Sequence, residues 1–239
     1  MSTPAPALQP RLELVIADRN YSSWSMRPWV AATQAGISFD TVLLRFTDDI
    51  RVEGIEQYYA GRKVPLLRVD GQPVWDSLAI CEALSELFPD RGLWPADAAA
   101  RRMARSVCAE MHSGFQALRK SMPMNIVGAL PGRGMAPEVQ LDVDRIVAVW
   151  RACRAAHLGQ GAHEASGQGG PLLFGGFTIA DAFFAPVAMR FVTYGVALPA
   201  DAQAYVDALR ALPSVQAWMA AARAEYRYIA AEEPYGSAA

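Results

Sequence analysis

Every strand-like run in the chain falls between residues 11 and 77, and beyond Pro95 only helical periodicity remains. "RLELVIA" (11–17) alternates and then turns apolar, which reads as a strand. "SFDTVLLRF" (38–46) reads as a second. "VPLLRVDGQPVWDS" (64–77) puts apolar residues on both sides of Asp70-Gly71, a strong turn dipeptide, and reads as a hairpin. Between these runs, "SMRPWVAATQAG" (25–36) reads as a helix closed by Gly36. "DIRVEGIEQYYA" (49–60) is a short helix or loop, and "SLAICEALSELF" (77–88) spaces Leu78, Cys81, Leu84 and Leu87 as one helical face. The order is β-α-β-α-β-β-α.

The stretch "PDRGLWPADAAA" (89–100) interrupts the pattern with Pro89, Gly92 and Pro95. Helices follow over 100–122, 137–159, 177–195 and in shorter pieces from 201 to about 231. Val143, Ile146, Val147 and Trp150 share one face of the second. The expected organisation is a loose tail over 1–10, an α/β half over 11–89, a linker over 90–98 and an all-α half over 99–239. "GQGAHEASGQGG" (159–170) reads as a flexible connector, and there is no internal repeat.

Composition narrows the function classes. A net charge of -2 with no basic stripe argues against nucleic acid as a partner. The three cysteines are odd in number and far apart, which suits neither a disulfide framework nor a zinc site. His112, His157 and His163 do not cluster, so no metal is expected. No apolar run approaches the roughly 20 residues that cross a bilayer, and the first residues lack a secretory pattern. A cytoplasmic chain away from membranes is the expectation.

Three places carry chemistry. In "NYSSWSMRPW" (20–29) a strand hands over to a helix amid three serines. A helix start leaves amides without intrahelical partners and favours an anion, to which a hydroxyl can donate. Pro28 belongs in a first turn, which puts the helix start near Trp24 and places Ser22 and Ser23 at its cap. Serine also caps helices routinely, so simple capping accounts for the same pattern. Val64-Pro65 opens the third strand. If that bond is cis, the Val64 backbone is free to pair with a peptide-like ligand; an ordinary edge-strand proline is the alternative. Asp76-Ser77 precedes a second helix, where Ser77 is a natural cap, the helix start can hold a carboxylate and Asp76 can hold an ammonium group. Together the three suit a ligand with a thiol, a peptide bond and an amino-acid head, and glutathione is such a ligand.

Here the chain resembles a known family. Its first half looks like the thioredoxin-like domain of cytosolic glutathione transferases and its second like their helical domain, over about 11–231. "SSWSMR" (22–27) is similar to the serine motif of the zeta class, the maleylacetoacetate isomerases, which reads Ser-Ser-Cys-x-x-Arg. "KVPLL" (63–67) resembles the strand with the cis-proline, and "DSLAICEAL" (76–84) the stretch written with Glu or Gln before Ser. "FTIAD" (177–181) resembles the family's capping box, with Thr178 as cap and Asp181 answering it.

The resemblance implies a glutathione transferase in which a serine stabilises the thiolate for attack on a small electrophile. It places the hydroxyl at Ser22, with Ser23 next. Trp24, Lys63, Val64, Pro65, Asp76 and Ser77 would hold glutathione. It also implies a homodimer. Trp24 stands where the zeta motif has cysteine, which weakens the alternative of a glutathione-dependent cis-trans isomerase. A non-catalytic binding module of the same fold is the third reading. In "SGFQALRKSMPMN" (113–125), Arg119, Met122 and Asn125, with His112 before them, are candidates for the electrophile side, against ordinary solvated or core roles. Trp75, Trp150 and Trp218 sit in apolar patterns and read as core.

Overall fold

The computed structural model describes residues 9–158 and 170–236. The tail expected at the start (1–8) and the Gly-rich connector (159–169, with His163) lie outside the described residues.

Four strands form one mixed sheet: β1 (Leu12–Ile16), β2 (Asp40–Leu43), β3 (Leu66–Val69) and β4 (Gln72–Val74), in the order β2-β1-β3-β4. β2 runs parallel to β1, and β3 and β4 are antiparallel neighbours, so Leu14 lies opposite both Thr41 and Leu67. The alternation of β1 sorts its side chains. Leu12, Leu14 and Ile16 enter the main core, whereas Val15 joins a small cluster with Ile55 and Leu66 on the opposite face. Segment 44–64 covers that second face with Leu44, Val52, Tyr58 and Tyr59. The short helix or loop expected within it contains one turn of 3-10 helix, Ile55–Gln57.

Two helices pack on the main face: α1 (Ser23–Gln34) and α2 (Ser77–Leu87). Six more complete the described chain: α3 (Ala98–Ser113), α4 (Gln116–Ser121), α5 (Pro137–Leu158), α6 (Ile179–Thr193), α7 (Ala200–Arg210) and α8 (Pro213–Ala224). α1 touches α6 and α8 as well as the sheet side, so one continuous core runs through both halves. Pro28 sits at the sixth position of α1, inside the helix and one turn later than a first-turn proline.

The long helix expected over 100–122 is two helices. Gly114 passes so close to the preceding turn that a Cβ there would lie 2.8 Å from the Glu110 carbonyl oxygen. Phe115 then adopts a left-handed φ of 58°, and the chain turns into α4. Trp150 and Trp218 are buried as expected. Trp75 is not: it is 58% exposed, because the hairpin ends beside an open cavity and its ring leans on Tyr59 instead of the core.

α6 is largely apolar and buried along its whole length except at Val192, and Asp181 fixes its start. The buried carboxylate accepts from the Thr178 N–H at 2.9 Å, the Thr178 hydroxyl at 3.1 Å, the Leu173 N–H at 3.2 Å and the Tyr205 hydroxyl at 3.1 Å. Burial pushes its carboxyl up to about 6 despite these four donors. Asp181→Ala strands buried donors and is expected to cost about 3 kcal/mol of unfolding free energy in urea titrations. The stability linked to the Asp181 proton is complete below its unfolded value of 3.8 and is lost as pH rises through about 6. The gap between wild type and Asp181→Ala is therefore wider just below pH 6 than above it.

Candidate active site

A cavity of about 1240 Å³ opens along the seam between the two halves. Its floor is the N-terminus of α1. One wall is the 46–63 segment with Val64, Pro65 and the Trp75–Ser77 turn. The other is formed by His112, Arg119, Pro123, Met124 and Arg190, with Glu232 at the edge.

Ser22 caps α1, its oxygen accepting a long bond of 3.4 Å from the Ser25 N–H. Its hydroxyl shares a 2.7 Å hydrogen bond with Ser25 Oγ, so it is engaged within the turn. Ser23 is the first helical residue. Its oxygen accepts from Arg190 Nη2 at 3.2 Å, and no acceptor takes its hydroxyl hydrogen among the described residues. The Trp24 N–H, second in the helix, is likewise without a partner there. Val64-Pro65 is cis, and the strand ladder begins only at Leu66, leaving the Val64 backbone outside it.

At α2 the cap is Asp76 and not Ser77. Asp76 Oδ1 accepts from the Leu78 N–H at 2.9 Å and the Ala79 N–H at 3.3 Å, because only the residue before the first helical one can reach those amides. Ser77 is instead fully buried, and its hydroxyl accepts from Arg27 Nη1 at 3.4 Å. Lys63 also lines the cavity, its N–H donating to the Tyr59 hydroxyl at 3.0 Å.

The electrophile-side candidates divide. His112 and Arg119 line the cavity. Met122 and Asn125 do not. Met122 is entirely buried in the core. The Asn125 side chain accepts from Asn20 Nδ2 at 2.9 Å and from the Gly128 N–H, and so stitches the chain beneath the site. Pro123 and Met124 face the cavity in their place.

The sequence reading missed a cluster of three arginines. Arg27 is 0% exposed, its guanidinium 4.2 Å from the Trp24 ring centre and 4.8 Å from that of Phe183. Arg119 stands 4.9 Å from the Trp24 ring, and its guanidinium is fixed by the carbonyls of Gly114 and Met111. Arg190 donates to the carbonyls of Met122 and Pro186 as well as to Ser23. None of the three is in an ion pair among the described residues. Burial, then the other two guanidiniums, pushes Arg27 well below the usual arginine range. Burial, with Arg119 next, pushes Arg190 down to about 9. Arg27 Nε and Nη2 are buried and unpartnered. A signal existed: Arg27 is the one charge in α1 and Arg190 the one base in the apolar run of α6. Such residues seldom go inside unless paired.

The site is thus a pocket of mixed charge, with unpaired arginines and unspent donors gathered at one helix start. It can hold an anion and stabilise charge that develops there. Comparison with known proteins agrees with the architecture. The family model described as glutathione S-transferase, N-terminal domain, matches residues 21–87, and its C-terminal counterpart matches 136–221. A probable maleylacetoacetate isomerase of Caenorhabditis elegans is 34% identical over 100 residues, 42% of this chain and 46% of that one. The maleylacetoacetate isomerase of Rattus norvegicus is 30% identical over 113 residues, 46% and 51% of the two chains. The chain therefore spans about half the length of the curated relatives it matches. A Burkholderia glutathione transferase homologue, crystallised with glutathione, superposes with a TM-score of 0.65 over 90% of this chain and 99% of that one, at 23% identity. A glutathione transferase of Methylococcus capsulatus does so at 0.61, covering 89% and 99%, with 20% identity. At those identities the likeness concerns the fold.

A buried cation with two orphaned donors burdens the fold. Arg27→Met fills the same space without charge and is expected to raise unfolding free energy by about 1 kcal/mol. It sheds several kcal/mol of desolvation cost and loses two ring contacts of about 1–2 each. Urea titration at neutral pH checks this; a loss of stability refutes the account of Arg27.

Proposed function

The chain belongs to the glutathione S-transferase family, its two family domains matching in order over 21–87 and 136–221, and we propose that it is a glutathione transferase acting on a small electrophile. Glutathione lies along the first-half wall of the cavity, with its amino-acid head at the α2 start beside Asp76 and Ser77. Its peptide backbone pairs with Val64, and its sulfur sits at the start of α1.

The observation that carries the reading is the state of Ser23. Its oxygen accepts from Arg190 and no acceptor takes its hydrogen among the described residues, whereas the Ser22 hydroxyl is engaged with Ser25 at 2.7 Å. Ser23, next to the residue that the serine motif puts first, is therefore the donor to the sulfur. An arginine bond to its oxygen makes that hydroxyl a better donor. A free thiol near 8.5 is a few per cent ionised at neutral pH. Lowering it by about two units needs roughly 2.7 kcal/mol, at 1.36 per unit. A charge-assisted bond of about 1.5–3 and a helix start of about 0.3–1 supply that. The thiolate then attacks the electrophilic carbon, forms the C–S bond and expels the leaving group with the bonding pair. The reading extends to a homodimer in the cytoplasm, as the family resemblance implies.

The arginine cluster favours a second reading, a glutathione-dependent isomerase of a small diacid. There the thiolate adds to a carbon–carbon double bond, rotation follows, and elimination returns the thiol. Trp24 in place of cysteine weighs against it. Turnover of maleylacetoacetate well above that of a neutral aryl halide would select it. Glutathione binding with no turnover of either would leave a binding module.

Ser23→Ala is expected to raise the bound thiol's titration by at least one unit and cut the conjugation rate about tenfold or more, while Ser22→Ala mainly loosens the turn. Thiolate ultraviolet absorbance against pH measures the first effect. Unchanged titration in Ser23→Ala, with loss in Ser22→Ala, would return the role to Ser22.

A further inference from the structure

His112 is on α3, in the helical half, yet its Nε2 lies 3.0 Å from Asp76 Oδ2 at the start of α2. We propose that His112 is a positioning residue for a ligand ammonium group, its N–H aiming the Asp76 carboxylate into the cavity without neutralising it. The proposal rests on the glutathione reading above and concerns the γ-glutamyl amine.

Asp76 has two oxygens with different duties. Oδ1 is spent on the Leu78 and Ala79 amides. Oδ2 is what a ligand can use, and the side chain is about half exposed; among the described residues His112 alone steadies that end. Since a carboxylate accepts, Nε2 carries the hydrogen. Nδ1 then holds a lone pair, and it is buried without a partner. A proton placed there would be a buried donor with no acceptor, which is costly.

The surroundings agree. The ring stands edge-on to Trp24 of α1 at 5.0 Å and tilts against Phe183 of α6 at 6.5 Å. The charged groups that face it are Asp76 of α2, Arg27 of α1 and Arg119 of α4. Burial first, then Arg27 and Arg119, hold the imidazole below its ordinary 6.5, against the pull of Asp76. Near neutrality His112 is therefore a neutral donor. It fixes the direction of the carboxylate and leaves its full charge for a ligand cation. A lysine or arginine at 112 would fix the direction and cancel the charge.

The test pairs protein variants with ligand variants. Calorimetry compares glutathione with its desamino analogue, in which a glutaryl group replaces the γ-glutamyl one. His112→Phe is expected to weaken glutathione about tenfold, the size of one charge-assisted hydrogen bond. The desamino analogue should stay within about twofold. His112→Gln, whose amide reaches the same place, restores glutathione affinity. As pH falls below the imidazole's lowered range, wild-type affinity should drop, because a protonated His112 competes for Asp76; His112→Gln should lack that drop. Equal weakening of both ligands by His112→Phe makes the residue merely structural and overturns the proposal, as does no weakening of either. A wild-type chain that binds neither ligand overturns the glutathione reading and this inference with it. Wild-type binding untouched by His112→Phe overturns this inference alone.

Discussion

Helix α1 is buried from both sides, and the rest of the molecule is arranged around that fact. It packs on the sheet layer and α2 on one side and on α6 and α8 on the other. Met26, Val30 and Ala31 are sealed from solvent, and Trp29 meets Trp218 edge-to-face at 5.3 Å. A helix held in this way can present polar groups only at its ends. Its start is the end with unspent amides, so the seam must open there. The same packing fuses two halves that could otherwise shift against each other into one core. Groups from the helical half can therefore reach the start of α1 or α2 with fixed geometry, as Arg190 does to Ser23 and His112 to Asp76.

Three buried or part-buried cations near one helix start demand an energetic account. Burying each costs several kcal/mol after relaxation. Arg190 recovers much of that through three hydrogen bonds, two of them to carbonyls. Arg119 has two carbonyls and the Trp24 face. Arg27 has one hydroxyl and two aromatic faces, with no carbonyl and no carboxylate. Glu232 lines the cavity edge, and burial raises its carboxyl while Arg190 lowers it; it is too far for an ion pair. None of the three guanidiniums is thus neutralised by an ion pair among the described residues, although Asp76 and Glu232 line the same cavity. Guanidinium groups without a carboxylate partner beside a helix start are what an anion entering there would meet.

How much of this was legible follows from where the information lies. The alternation of β1, the Asp70-Gly71 turn and the apolar face of α5 are local patterns, and the sheet and that helix appeared where those patterns put them. The capping box of α6 is also local, and Thr178 and Asp181 form it. Trp75 misled because an apolar neighbourhood in sequence says nothing about a cavity beside it in space. Ser77 looked like a cap because serine often is one; the observed cap is one residue earlier. The break at Gly114 depends on a close carbonyl, which helical periodicity does not record. Met122 and Asn125 follow a helix that was expected to be straight. Once α3 turns into α4 they point into the core, and Pro123 and Met124 take the cavity side. The arginine cluster joins residues 27, 119 and 190; Arg27 closes the serine motif and Arg119 was a candidate on the electrophile side, but nothing local brings either together with Arg190.

Trp24 brings these threads together. Its ring centre is 4.2 Å from the Arg27 guanidinium and 4.9 Å from that of Arg119, so both cations share one electron-rich partner. A guanidinium stacked on a ring keeps its N–H edges in plane, free for carbonyls, a hydroxyl or a ligand. A small side chain at 24 would take that aromatic partner from both cations. The backbone N–H of the same residue is unspent at the helix start. Tryptophan in place of the cysteine of the serine motif therefore exchanges one chemistry for another. A thiol there could share in covalent or proton chemistry. The indole instead gives two guanidiniums an aromatic partner, so what this turn offers an anion is electrostatic.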